Sequence, residues 1–231
     1  MGTGNEWETY TATRRSLHAV AEHVLAAAVH AATGRIGLRQ TPRGFGTPSF
    51  PSSHGPRQLL VDGTELIERD DPGERRTGLT TLGAAADFVG IEPGAPVDVY
   101  RPATPLDLDA PLTVAGPFAA RLADWFALVD RALARLVDDL ADEAPSAVQL
   151  WPEHFDLATT ISRVNYGGSP GDDGHVQPYL YVGPWDLPAP DGAFWNEPFG
   201  ASLPVEVVTS DADVLAFFRK GRERLQARGP G

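Results

Sequence analysis

His154, Asp156 and His175 have the side-chain types and spacing that could do chemistry. All three fall in the stretch Gln149–Trp185, QLWPEHFDLATTISRVNYGGSPGDDGHVQPYLYVGPW. If His154 and Asp156 share a strand, their two-residue spacing sends both side chains to one face. Phe155 and Leu157 then point the other way, toward a core. A loop that brings His175 alongside completes two histidines and a carboxylate, the ligand set of non-haem iron centres, so a divalent metal is one expectation. The short interval from Asp156 to His175 and the long helices elsewhere do not suit a jelly-roll oxygenase. The same residues, with Glu153, Asp172 and Asp173, also suit general acid–base catalysis without a metal. A plainer reading leaves His154 and Asp156 in structural hydrogen bonds at a strand end and His175 on a solvated loop.

Two further patterns lie in the same stretch. Gly167-Gly168-Ser169-Pro170-Gly171 matches G-x-S-x-G letter for letter. A nucleophile elbow needs a backbone N–H on the residue after the serine, and Pro170 has none. Serine-hydrolase chemistry is therefore set aside. Trp151, Tyr166, Tyr179, Tyr181, Trp185 and Trp195, with Phe194 and Phe199, make the region dense in aromatic rings. Rings with a few polar anchors suit a ligand pocket, and rings also anchor Pro-rich loops. On a strand, Tyr179 and Tyr181 share one face and Leu180 and Val182 the other.

QLWPEHFDLA, YGGSPGDDGHVQPYLYVGPW and FWNEPFGASLP together resemble an uncharacterised actinobacterial domain family of unknown function. The resemblance covers roughly 147–220. It implies a genuine domain and carries no reaction, cofactor or catalytic residue with it.

The elements that must position these residues follow from periodicity. Apolar spacing predicts a helix over 11–33 that stops at Gly34. On its far face lie His23 and His30, expected in solvent and too far apart to share a metal, while His18 sits at the edge of the apolar stripe and is expected to be packed. A strand at 35–40, a Gly/Pro/Ser loop at 41–56, and a hairpin turning at Asp62-Gly63 follow. A short helix is expected at 80–89, and then a Pro-rich connection at 91–116 with a strand at Val97–Tyr100. The strongest pattern is the helix opening at Pro117, whose Phe118, Leu122, Trp125, Val129, Leu133, Leu136 and Leu140 fall within about 80° of arc. A strand at Val205–Val208 precedes a last helix at 211–227 capped by Ser210, whose Arg219, Lys220, Arg222, Arg224 and Arg228 suit a helix C-terminus.

These elements imply an α+β fold of two similar halves packed as one unit, each a helix, antiparallel strands and a helix. The boundaries are 1–100, a connection at 101–116, and 117–231. Gly46-Thr47-Pro48 echoes Gly168-Ser169-Pro170, and Leu59-Leu60-Val61 echoes Leu180-Tyr181-Val182, which points to an internal duplication or to coincidence between common elements. A net charge of −12 argues against nucleic acid and anionic membrane as partners. No apolar run approaches the roughly 20 residues that span a bilayer. The absence of cysteine suits a reducing compartment, with the cytoplasm as the expected location. The expected function is binding of a small molecule, with acid–base or metal-assisted chemistry at His154, Asp156 and His175. The alternative is a non-catalytic interaction module using the aromatic, Pro-rich surface at 184–204.

Overall fold

A computed structural model describes residues 4–71, 73–186 and 194–227. The fold is α+β, with helices and two antiparallel sheets. The chain divides into two compact units, residues 1–124 with 150–155, and residues 125–149 with 156–231. No described helix is long and apolar enough to cross a membrane.

The first unit opens with α1 (Gly4–Val20), a π-helical turn (Ala21–Ala26) and α2 (Ala27–Thr33). Gly34 ends the run at φ 70° with its N–H on the His30 carbonyl, the left-handed C-terminal stop expected. Next come β1 (Arg39–Thr41), β2 (Gly44–Gly46), β3 (Phe50–Ser52), β4 (Gly55–Asp62), β5 (Glu65–Asp70) and β6 (Glu74–Gly78). The order is β1-β2-β4-β5-β6, with β3 also on β4. The stretch expected as a loop at 41–56 is thus largely short strands. Three-residue strands hold their register by backbone pairing and leave no alternation to read. The hairpin at Asp62-Gly63 forms as expected, with Gly63 at φ 60°.

Strand β6 was not legible because its sequence is Glu-Arg-Arg-Thr-Gly. Cross-strand ion pairs hold it, among them Arg75–Glu68 at 2.5 Å and Arg76–Glu65 at 3.1 Å. The unit continues with α3 (Leu82–Val89), whose Thr81 hydroxyl accepts the Ala84 N–H, and closes at Gly90 in the left-handed region. Val97–Tyr100, expected as a strand, begins in a turn with Val97 exposed and both the Val99 and Tyr100 N–H groups on the Pro96 carbonyl. Segment 150–155 belongs to this unit, with Leu150 exchanging backbone hydrogen bonds with Leu38.

The unit boundary falls inside α4 (Gly116–Asp139). Leu122, Trp125, Val129, Leu133 and Leu136 of the expected stripe are all buried, and Phe118 and Leu140 at its ends are half-buried. After β7 (Gln149–Trp151), the second unit's sheet runs through β8 (Asp156–Ile161), β9 (Val164–Ser169), β10 (Tyr179–Pro184) and β11 (Ala201–Pro204), each antiparallel to the next. Residues 205–207 form a 3-10 turn where a strand was expected. The last helix, α5 (Asp211–Gln226), starts at Ser210, whose hydroxyl accepts the Asp213 N–H.

Register divides this sheet into two chemically distinct faces. Leu157, Gly168, Leu180 and Leu203 stand in one row, as do Thr159, Tyr166, Val182 and Ala201. This face packs on helices. An added methyl on Gly168 would meet Val129 of α4 at 2.5 Å, and one on Gly221 of α5 would meet Val182 at 2.9 Å. The alternate rows carry Ala158, Gly167, Tyr181 and Ser202, then Ser169, Tyr179 and Pro204, and Asp156 begins β8 on the same side. The echoing segments are paired one residue out of step: Gly46 stands opposite Leu60, whereas Gly168 stands opposite Leu180, the counterpart of Leu59.

Candidate functional site

The polar face of the second sheet gathers the chemistry-bearing side chains of this unit. Asp156 is buried, and its Oδ2 accepts a hydrogen bond from the Tyr181 hydroxyl. Glycine is required beneath that phenol, since an added methyl on Gly167 would lie 2.5 Å from the Tyr181 oxygen and 2.8 Å from the Leu157 carbonyl. Two residues along β10, the Tyr179 hydroxyl donates to Asp172 Oδ2 at 2.6 Å. Asp172 Oδ1 accepts the backbone N–H groups of Gly174 and His175, both at 2.7 Å, which folds the 171–175 turn. His175 Nε2 lies 3.1 Å from Glu197 Oε1, which also accepts the Ser202 hydroxyl at 2.9 Å. The rings of His175, Tyr179, Tyr181 and Phe199 form one cluster with centroid separations of 4.5–6.4 Å.

Electrostatics fixes protonation at two of these groups. Burial alone would raise the Asp172 carboxyl, but the Tyr179 hydroxyl and the two backbone N–H groups outweigh it and hold the group below its ordinary value. Burial, reinforced by the Asp172 charge, pushes the Tyr179 phenol well above its usual range. Asp172 therefore stays ionised and Tyr179 stays a donor. His175 keeps about a third of its side chain exposed, and Tyr181 is half-buried. Both therefore have surface open to solvent, while Asp156, the carboxylate partner of Tyr181, is buried.

The other expected residues are placed elsewhere. His154 is exposed in the turn between β7 and β8 and is not on a strand. Phe155 breaks the alternation with φ 54°, so the two-residue rule does not put His154 and Asp156 on one face. The expected metal set is corrected accordingly: among the described residues no three His, Asp or Glu side chains are arranged to hold a metal ion. Asp156 is engaged by Tyr181 and His175 by Glu197. Tyr166 faces the helices, edge-on to Phe218. Trp195 is buried against Phe194. Trp151 is half-buried in the first unit. Trp185 is exposed, donates to Asn165 at 3.2 Å and carries the Arg163 guanidinium over its ring. Of the surface expected at 184–204, residues 187–193 lie outside those described.

Glu197 and Ser202 are the participants that sequence reasoning missed. Glu197-Pro198-Phe199-Gly200 has proline and glycine where a β-turn wants them, and Glu197 and Gly200 do exchange backbone hydrogen bonds. That signal was available. Ser169 also has a structural part here: it is buried, and its hydroxyl accepts the Gly171 N–H.

The first unit has a polar network of its own. His18 stacks on Phe155 at 5.0 Å and donates through Nε2 to the Pro152 carbonyl at 2.8 Å, so the Trp-Pro-Glu-His-Phe turn is bound to α1. Burial lowers the His18 pKa, against the opposing pull of Glu22 and the Pro152 bond. His23, expected in solvent, is buried. The π-helical turn explains the difference, because it adds a residue to one turn and shifts the helical phase that a uniform 100° step assumes. An open hollow of about 390 Å³ lies between Ser49, Gln58 and Arg69 of this unit, and none of the residues above lines it.

Comparison with known proteins finds no match among family models, curated proteins or solved structures.

Proposed function

We propose that this protein binds a small polar organic molecule on the polar face of the second sheet and exchanges a proton with it. The observation that carries this reading is the pairing of an accessible phenol, Tyr181, with a buried carboxylate, Asp156, beside a histidine oriented by a second carboxylate, Glu197. An acid–base pair needs one partner within reach of the ligand and another that sets its proton. Tyr181 and His175 fill the first role, and Asp156 and Glu197 the second. Phe199, half-buried and packed on the buried Tyr179 ring, supplies ring surface for the apolar part of the ligand.

A fragment library screened by saturation-transfer NMR tests the proposal. Fragments that bind the wild type should bind at least tenfold more weakly to Tyr181→Phe and to His175→Ala, and equally well to Ser210→Ala, which alters only a helix cap. Fragments that bind all four proteins alike would overturn it.

A further inference from the structure

The first unit holds an irregular loop in place with buried charge. Glu22 is fully buried, and its carboxylate accepts the Ala103 N–H at 2.9 Å, the Thr104 N–H at 2.8 Å and the Thr104 hydroxyl at 2.5 Å. Next to it, His23 Nδ1 accepts the Ala95 N–H at 3.1 Å, and its Nε2 reaches the Thr104 carbonyl at 3.0 Å. The π-helical turn presents this pair, and its widened turn frees carbonyls from the regular ladder. The His23 carbonyl takes the Gly94 N–H at 3.0 Å. A single point on the helix therefore pinches the loop at Ala95 and at Thr104, and Gly94 lies against Leu106.

The segments that emerge from this pinch are aliphatic and turned outward. Val97 is 75% exposed, Val99 50%, Leu106 49% and Leu108 41%. Four of the seven large hydrophobic side chains exposed among the described residues thus come from one short loop. Singly scattered exposed aliphatics are ordinary on a surface, whereas here four come from one ordered loop. The charge around it is one-sided: Glu92, Asp98, Asp107 and Asp109 are exposed, and Arg101 is the single cation between 91 and 115. Asp107 also shapes the tip, accepting the Asp109 and Ala110 N–H groups.

We propose that the 96–109 loop is a preorganised docking surface for a partner protein whose contact face has an apolar centre and a rim of Lys and Arg. The loop's aliphatic side chains fill the centre, and its carboxylates meet the rim. Charge complementarity selects this partner over neutral or acidic surfaces. The buried Glu22–His23 clamp removes the ordering cost that a free loop would meet on binding.

The test uses the full chain and three amphipathic helical peptides, leucine–lysine, leucine–glutamate and serine–lysine, with affinity read by fluorescence anisotropy and location by amide chemical shifts. The leucine–lysine peptide should bind, shift the amides of residues 97–109, and bind at least tenfold more weakly to Val97→Ser/Leu106→Ser/Leu108→Ser. It should bind unchanged to Asp138→Asn/Asp142→Asn, which removes two charges outside the loop. All three positions are exposed, so the triple variant should keep the wild-type circular dichroism; if it does not fold, Leu106→Ala/Leu108→Ala replaces it with the same expectation. Equal affinity for the serine–lysine peptide, shifts outside the loop, or a wild-type self-association that the triple variant abolishes would each overturn the proposal.

Discussion

The Tyr181 hydroxyl and the buried Asp156 carboxylate are hydrogen-bonded across the polar face of the second sheet, spanning two intervening positions in register. Tyr181 stands opposite Gly167 and Gly167 opposite Ala158, so the phenol crosses β9 at a glycine, which has no side chain in its way, to reach the start of β8. Asp156 is where a polar residue would be costly without such a donor.

Replacing the two partners in turn should separate folding from function. Tyr181→Phe leaves a buried carboxylate with one donor fewer and should lose roughly 1–3 kcal/mol in urea denaturation. Asp156→Asn keeps an acceptor for the phenol, so its loss should stay below about 1 kcal/mol while ligand binding falls. If Asp156→Asn destabilises as much as Tyr181→Phe and leaves the affinity of a bound fragment intact, Asp156 is a scaffold residue only.

Gly167 should tolerate no side chain while Tyr181 is present. A methyl there would meet the phenol carbon at 2.6 Å and the Leu157 carbonyl at 2.8 Å. Gly167→Ala should cost roughly 1–3 kcal/mol. In a Tyr181→Ala background the ring contact is gone and only the backbone contact remains, so the cost should shrink by about 1 kcal/mol or more. Strict additivity in this cycle would show that the ring does not depend on the glycine.

How much of this was legible in the sequence varies with the kind of signal. The α4 stripe, the Asp62-Gly63 hairpin, the Gly34 stop and the Ser210 cap rest on local chemistry, and all are present. The shared face of Tyr179 and Tyr181 followed from strand alternation alone. Where the sequence misled, a local irregularity broke the assumed period. The π-helical turn rotated His23 inward, and the left-handed Phe155 separated His154 from Asp156. Strand β6 is carried by ion pairs and short strands by backbone pairing, neither of which leaves a hydrophobic pattern. Glu197 is brought to His175 by a turn 22 residues away in sequence, a distance that one chain read alone does not encode.

Glu22 should matter to the loop more than to the sheet. Glu22→Gln turns an amide group toward N–H donors that need an acceptor, and it should lose roughly 2–4 kcal/mol. Hydrogen exchange at the Ala103 and Thr104 amides should accelerate well beyond that at β4 and β5. Uniform acceleration across the unit would mean that Glu22 supports the whole core and is not a clamp on one loop.

His18 should make stability fall on mild acidification. Burial lowers its folded-state pKa, with Glu22, the Pro152 carbonyl, Arg14 and His154 as the groups facing it. An unfolded histidine titrates near pH 6.5. Above that value neither state takes up the proton and the full stability is present. Below it the unfolded chain binds a proton that the folded chain refuses, so stability is lost as pH falls from about 6.5 toward the folded value. The slope reaches at most about 1.4 kcal/mol per pH unit for one group. Asp172 acts in a lower window: its depressed pKa contributes stability above the ordinary carboxylate range, lost only as pH falls through the folded value. His18→Gln retains a donor for the Pro152 carbonyl and cannot take up the proton. Urea midpoints at pH 7.5 and 5.5 should therefore differ less for His18→Gln than for the wild type, and an identical drop in both would assign the acid sensitivity to other groups.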